Sequence, residues 1–178
     1  MRINSKLLLA VTSMSLLFTA TAKAELNVFA CEPEYAALAQ TLAPDARVYS
    51  ATTAMQDPHQ VQARPSLIAK MRQADLVVCA GADLEIGWLP MLQMKSANPK
   101  VRSTDKGLFF AADQIDTLDK LTQVDRSMGD VHAKGNPHLH LDPLRMLTVA
   151  QTLSAKLTEV DPENASRYAQ SLSDFSQR

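Results

Sequence analysis

The segment that decides the fold is Asp75-Leu76-Val77-Val78-Cys79-Ala80, which is followed directly by Gly81. Its apolar residues run without alternation, and such a run predicts a short β-strand that is buried on both faces. Strands of this kind are typical of parallel sheets that helices cover on both sides. The glycine indicates that the strand ends there.

Weaker strand patterns lie on both sides of this segment. They cover Leu26–Cys31, Arg47–Ser50, Lys100–Ser103 and Leu108–Ala111. Helical periodicity fills the intervals at Glu34–Leu42, Pro65–Gln73 and Leu84–Met94, the last with Pro90 as a point where it could break. Alternation of strands and helices predicts an α/β fold with a largely parallel sheet flanked by helices. Functional sites in such sheets lie beyond the carboxyl ends of the strands.

The C-terminal third begins irregular and polar, from residue 113 to 137, and then turns helical. Asp142-Pro143 and Asp161-Pro162 each combine a capping aspartate with a proline in the first helical turn. The second of these helices carries Tyr168, Leu172 and Phe175 on one face. We expect this apolar face to lack a partner and to lie exposed.

Length and composition are those of one globular domain. The 178 residues are 46% hydrophobic and 21% charged, with a formal net charge of −1. Three of the 18 basic residues and none of the 19 acidic ones fall within the first 24 positions, so the rest of the chain is mildly acidic. An acidic body argues against nonspecific binding to nucleic acid or to anionic lipid.

The first 24 residues have the order of a secretory signal peptide. A basic start precedes an apolar stretch, and Ala22-Lys23-Ala24 supplies a small-x-small cleavage site. The apolar stretch is shorter than a membrane span needs and is interrupted by polar residues, so a transmembrane anchor is the weaker interpretation. Val28–Cys31 faintly resembles a lipid-attachment box but lies too far from the apolar stretch. The sequence therefore predicts a soluble, exported, periplasmic protein beginning at Glu25.

Export determines how the two cysteines are interpreted. Cys31 and Cys79 lie at the carboxyl ends of two predicted strands, which parallel pairing would bring side by side. In an oxidising compartment they are expected to form a disulfide, whereas in the cytoplasm they would be thiols. Two cysteines without CxxC spacing are a poor structural zinc site.

All four histidines fall in predicted loops. Asp57-Pro58-His59 and Asn136-Pro137-His138 share a pattern of small polar residue, proline and histidine, in which proline restricts the backbone before the ring. Neutral imidazole is a common ligand of zinc, although two Pro-His pairs alone are equally compatible with surface loops. His140 would share a side with His138 on an extended backbone, and nothing local fixes the direction of His132.

The ordered series of motifs resembles the zinc/manganese substrate-binding proteins of bacterial ABC importers. The series covers nearly all of the chain after residue 24. It consists of Asp57-Pro58-His59, Arg64-Pro65-Ser66, Ala74–Val78, Gly81–Glu85 with Trp88-Leu89, Asn136-Pro137-His138, Leu141-Asp142-Pro143, and Asp161–Asn164 with Tyr168.

This resemblance implies a ligand set and a domain organisation. In the family, histidines at the positions of His59 and His138 ligate the metal from an N-terminal lobe, with His132 and His140 as further candidates here. The implied segments are a signal peptide at 1–24, a metal-binding lobe at 25–160 and the start of an interlobe helix at 161–178. The ligands of a second lobe are expected to be absent, so that binding of zinc should be weak.

The leading hypothesis is therefore an exported, non-enzymatic metal-binding component of an ABC importer. It would capture Zn²⁺ as transported ligand, with Mn²⁺ as the alternative, and deliver it to a membrane permease. One alternative is a metal-dependent surface adhesin. Another is a zinc metallohydrolase in which His59 and His138 hold the metal and Glu85 acts as base, but no hydrolase motif accompanies them.

Overall fold

Four short parallel strands form one sheet in the computed structural model, which describes residues 25–129 and 131–177. The strands are β1 Asn27–Ala30, β2 Arg47–Ser50, β3 Leu76–Cys79 and β4 Leu108–Phe110, in the order β2-β1-β3-β4. Val28 of β1 lies opposite Val48 of β2 and Leu76 of β3, and Val77 lies opposite Leu108. The predicted α/β class with a parallel sheet is confirmed. The predicted signal peptide lies outside the described residues.

Five α-helices accompany the sheet in the described part of the chain. They are α1 Pro33–Leu42, α2 Pro65–Gln73, α3 Leu89–Ser96, α4 Pro143–Val160 and α5 Ala165–Ser176. A proline stands in the first turn of α1 to α4, where the missing amide hydrogen costs no hydrogen bond. The Asp142 side chain accepts hydrogen bonds from the amides of Leu144 and Arg145, as the Asp-Pro motif predicts.

The core has two halves, one on each face of the sheet. Val28 points into a half shared with α1, α4 and α5, whereas its neighbour Phe29 points into a half shared with α2 and α3. Both residues are almost fully buried. Alternate residues of β1 therefore face opposite halves, which explains why the central strands contain unbroken apolar runs.

Two predicted elements differ in the structure. The helix expected at 84–94 begins only at Leu89, because Pro90 belongs to its first turn rather than to its middle, and residues 84–88 form turns. The strand expected at 100–103 is replaced by a 3₁₀ turn at Pro99–Val101. Its cause is Asn98, whose side chain accepts from the amide of Lys100 and donates to two carbonyls at the end of α2.

The C-terminal helix is better covered than we expected. The chain reverses at Asp161, whose carboxylate accepts a 2.5 Å hydrogen bond from the hydroxyl of Tyr168. Helix α5 consequently packs on α1 and α4. Tyr168 is buried, and Leu172 and Phe175 lie partly buried against the same core. The prediction of an unpartnered apolar face on this helix is therefore wrong.

The predicted disulfide is present. Cys31 directly follows β1, and Cys79 is the last residue of the neighbouring strand β3. Their Cα atoms are 4.8 Å apart, and their sulfurs are bonded. The bond fixes the carboxyl ends of the two central strands to each other. None of the helices in residues 25–129 and 131–177 has the length and apolarity required to span a bilayer.

Candidate metal site

Three of the four histidines line one cavity of about 260 Å³ beyond the carboxyl edge of the sheet: His59, His132 and His138. His59 comes from the loop after β2, and the other two come from the irregular segment after β4. Neighbouring residues from the same segment, including Asp119 and Val131, complete the wall. The expectation that His59 and His138 face a common point agrees with this cavity, and His132 joins them there.

The rings of His59 and His132 contact each other within the cavity. Their Nε2 atoms lie 3.1 Å apart, and the two rings are stacked with centroids 5.2 Å apart. The Nδ1 atom of each ring contacts a second group, which holds the ring in place. His59 Nδ1 lies 2.7 Å from Asp57 Oδ1, and His132 Nδ1 lies 2.9 Å from the carbonyl oxygen of Ala82.

These contacts determine which nitrogens carry protons. A carboxylate and a carbonyl only accept hydrogen bonds, so the Nδ1 atom of each ring must be the donor. Neutral rings of this tautomer would point two Nε2 lone pairs at each other across 3.1 Å. That arrangement requires a proton or a metal ion between them. Two nitrogens bound to one tetrahedral zinc ion at about 2.0–2.1 Å lie about 3.3 Å apart, close to the observed separation.

The surroundings of His132 favour its neutral form. Burial of the ring, followed by the nearby His59, holds the pKa of His132 below its usual value. A neutral ring with Nδ1 bonded to Ala82 presents an available lone pair at Nε2. His132 is thus prepared to act as a ligand at neutral pH without first losing a proton.

Both Pro-His motifs have the same local geometry. The Asp57 side chain accepts a 2.9 Å hydrogen bond from the amide of His59, and Asn136 accepts a bond of the same length from the amide of His138. Each motif is therefore an Asx turn, in which a short polar side chain bonds the backbone two residues further on. The turn and the proline together fix the position of the histidine that follows.

His140 lies apart from this cavity. Residues Leu139–Leu141 form a 3₁₀ turn instead of the extended segment expected there, so the rings of His138 and His140 stand nearly perpendicular with centroids 6.0 Å apart. His140 Nδ1 lies 3.3 Å from a carboxylate oxygen of Glu34 but without hydrogen-bond geometry. The side chain of His140 lies beside Glu34 of α1 and against the edge of the His138 ring, and it does not line the cavity.

Residues of the turn between β3 and α3 make hydrogen bonds to the segments that carry His59 and His132. Trp88 Nε1 donates a 2.8 Å hydrogen bond to the carbonyl of Pro58, and Ala82 holds His132 as described. Glu85, the base of the metallohydrolase alternative, is buried in this turn. Asp83 pairs with Lys134 at 2.8 Å. Glu85 does not line the histidine cavity, so it is not placed to act as a hydrolytic base there.

Sequence reasoning missed two partners of the histidines. Asp57 could have been found, since an Asx residue two positions before a histidine can reach both its amide and its ring. The carbonyl of Ala82 could not have been found, because a backbone group 50 residues away has no sequence pattern.

The described residues contain a second group of ligand-type atoms, from Cys31, Cys79 and Glu85, which lie within 4.8 Å of one another. Its two sulfurs are bonded to each other in the disulfide.

The fold and the cavity define a class: a parallel α/β lobe with a candidate metal site beyond the carboxyl edge of its sheet. The chain belongs to the family described as zinc-uptake complex component A, periplasmic, whose profile matches residues 28–178. The sequence resemblance to metal-importer binding proteins is thereby confirmed. This family consists of substrate-binding proteins of ABC transporters, which are not enzymes, and the names of the relatives described below do not support the adhesin or metallohydrolase alternatives.

Curated relatives carry the same kind of name. A metal ABC transporter substrate-binding lipoprotein, SloC of Streptococcus mutans, is 29% identical over 97% of this chain and 56% of its own length. The manganese ABC transporter substrate-binding lipoprotein scaA of Streptococcus gordonii is 26% identical over 94% of this chain and 52% of its own length. The chain spans about half the length of the curated relatives it matches.

Solved structures share the fold. A zinc-bound deletion mutant of ZnuA superposes with a TM-score of 0.70 at 24% identity, covering 85% of this chain and 53% of that one. A manganese-bound periplasmic metal-binding protein from Candidatus Liberibacter asiaticus gives a TM-score of 0.68 at 21% identity, with 86% and 52% covered. At these identities the likeness establishes the fold alone.

Proposed function

We propose that this chain is an exported metal-binding component of an ABC importer and that it captures Zn²⁺ with His59, His132 and His138. The single observation that carries the proposal is the 3.1 Å separation of the Nε2 atoms of His59 and His132, whose Nδ1 atoms are both committed elsewhere. His138 lines the same cavity and supplies the third imidazole.

The choice of zinc over manganese rests on the donor atoms. Imidazole nitrogen suits zinc, whereas manganese favours carboxylate, carbonyl and water oxygens. Divalent zinc also binds a given nitrogen site more tightly than manganese in the general order of stabilities. Some relatives are named for manganese, so the competition between the two ions is the informative comparison.

The same proposal includes compartment and partners. Residues 1–24 act as a signal peptide, residues 25–160 form the metal-binding lobe in the periplasm, and residues 161–178 begin the helix that joins two lobes in the family. A membrane permease receives the ion. Binding needs no covalent chemistry, because ligands close around the ion and a second protein opens them.

The test is calorimetric titration of the exported protein with Zn²⁺ and with Mn²⁺. We expect one Zn²⁺ per chain and weaker Mn²⁺ binding. His59→Ala, His132→Ala and His138→Ala should each weaken Zn²⁺ binding by about 100-fold or more, since loss of a ligand costs more than the 10–100-fold typical of an outer hydrogen-bond partner.

The matched control is His140→Ala, which removes a neighbouring histidine that faces Glu34 instead of the cavity. It should leave the affinity for Zn²⁺ unchanged. Equal losses in all four variants, or no loss in the first three, would contradict the proposed ligand set. Tighter binding of Mn²⁺ than of Zn²⁺ would contradict the metal.

A further inference from the structure

The turn that carries the carbonyl of Ala82 has an unusual backbone. Gly81, Ala82 and Asp83 are all left-handed, with φ values of 80°, 52° and 68°. Only glycine adopts this conformation without steric cost, so two of the three residues are strained. Strained residues persist where surrounding contacts hold them, and such sites are often functional. The contacts that hold this turn are therefore candidates for a functional role.

Glu85 is the main contact. It lies four residues beyond Gly81 with only 2% of its surface exposed. Its Oε1 atom accepts a 2.8 Å hydrogen bond from the amide of Ala80, and its Oε2 atom accepts one of 3.2 Å from the amide of Gly81. One buried carboxylate thus binds the two amides at the point where strand β3 ends and the left-handed turn begins.

A second buried carboxyl group completes the arrangement. Glu32, at the start of α1, also has 2% exposure, and its Oε2 atom lies 3.2 Å from the amide of Ala80. Burial and the neighbouring Glu85 raise the pKa of Glu32 well above its usual range. No donor among the described residues reaches Glu32 Oε1, which fits a protonated oxygen that donates to Glu85. Glu85 remains the acceptor for the backbone amides.

From these contacts we propose that Glu85 is a positioning residue of the metal site. It holds the left-handed turn so that the carbonyl of Ala82 fixes the ring of His132, and this leaves His132 Nε2 free to bind the ion beside His59. The inference rests on the proposed function, because it assigns to Glu85 a role in binding at that same site. Glu85 itself touches no ligand atom of the three histidines.

The first experiment measures the ring of His132 in metal-free protein by ¹⁵N NMR. Wild type should show the tautomer with the proton on Nδ1. Glu85→Gln keeps one oxygen that can accept from both amides, because Oε1 lies 2.8 Å from the amide of Ala80 and 3.3 Å from that of Gly81, and it should retain that tautomer. Glu32→Gln should retain it too, since its amide can donate to Glu85 as the protonated acid does. Glu85→Ala should give a mixture of tautomers. Should that variant fail to fold, Glu85→Asp, which keeps the carboxyl group but shortens its reach, should show the same change.

The second experiment measures Zn²⁺ affinity in a double-mutant cycle. Glu85→Ala or Glu85→Asp should lower the affinity about 10–100-fold in the wild-type background and have no further effect when combined with His132→Ala. A role in general stability would lower the affinity equally in both backgrounds.

An equal loss in both backgrounds, or an unchanged His132 tautomer in Glu85→Asp, would overturn the inference. If wild-type protein binds no Zn²⁺, the proposed function fails. The NMR result then still decides whether Glu85 sets the ring of His132.

Discussion

At the scale of single residues, the cavity depends on small groups that orient each histidine. Asp57 binds both the amide and the ring of His59, and a backbone carbonyl binds the ring of His132. Such partners fix the tautomer and increase the basicity of the nitrogen that meets the ion. The rings of His59 and His132 are thereby oriented in advance, as the proposed metal binding requires.

Removal of the Asp57 side chain should therefore weaken metal binding. We expect Asp57→Ala to lower the affinity for Zn²⁺ about 10–100-fold. The control is Asp105→Ala, which removes an equally exposed carboxylate three residues before β4, at the amino edge of the sheet. Calorimetry of the two variants measures the effect. Similar losses in both would indicate a general influence of charge instead of a specific hydrogen bond.

The buried carboxyl pair predicts a dependence of stability on pH. The folded-state pKa of Glu32 is raised, so its contribution to stability is complete below the unfolded-state pKa and is lost as the pH rises through the folded-state pKa. Glu32→Gln stays neutral throughout. Relative to wild type, its free energy of unfolding should therefore increase from pH 4 to pH 8. Denaturant titrations at the two pH values measure this, and a difference that does not change with pH would contradict the protonated state of Glu32.

At the scale of elements, much of the architecture could be predicted because local patterns determine it. The unbroken apolar run predicts β3, and the two Asp-Pro motifs predict the starts of the two C-terminal helices, which are α4 and the 3₁₀ turn Pro162–Asn164 that leads into α5. The neighbouring carboxyl ends of β1 and β3 followed from parallel pairing, and with them the bond between Cys31 and Cys79.

The errors arose where a distant residue decides the local backbone. Leu84 and Glu85 are good helix formers. Glu85, however, is used to bind amides of the preceding turn, and the helix starts only with Pro90 in its first turn. The direction of His132 depends on the Ala82 carbonyl, which that turn positions. Sequence patterns therefore predict that His59 and His138 lie together but leave the direction of His132 open, and the tertiary structure brings all three to one cavity. Their role as metal ligands stays a prediction.

The disulfide should contribute to stability without contributing to binding. It closes a loop with a sequence separation of 48 residues. Loss of this cross-link in Cys31→Ala/Cys79→Ala should lower the free energy of unfolding by up to about 4 kcal/mol, an upper estimate from loop-closure entropy. Denaturant unfolding tests this, with wild type under a dithiol reductant as the comparison. Unchanged stability in both would contradict the assigned role, and Zn²⁺ affinity should stay within about threefold of wild type.

At the scale of the whole molecule, the core and the candidate site are separate. Helices cover both faces of the sheet, and the three histidines extend from loops beyond its carboxyl edge. We therefore expect the chain to fold without an ion, unlike small domains which need metal to fold. A ligand that binds only the folded state still adds stability, which grows with the logarithm of the ratio of its free concentration to its dissociation constant.

Thermal unfolding should reflect this separation. Free Zn²⁺ at about 100 times its dissociation constant should add about 2.7 kcal/mol of stability. A chelator should remove that increment and leave a cooperative unfolding transition. The His59→Ala/His138→Ala variant should show the transition without the increment. Loss of the transition in chelator would contradict a core that is independent of the metal.

The proposed ligands His59, His132 and His138 should hold one ion together. Anomalous diffraction at the zinc absorption edge, from crystals of the zinc-loaded protein, tests this ligand set most directly. We predict one strong peak in the histidine cavity, about 2.0–2.1 Å from the Nε2 atoms of both His59 and His132 and from a ring nitrogen of His138. A peak bound by His140 and Glu34, or a zinc ion that contacts only one of the three rings, would contradict the proposed ligand set.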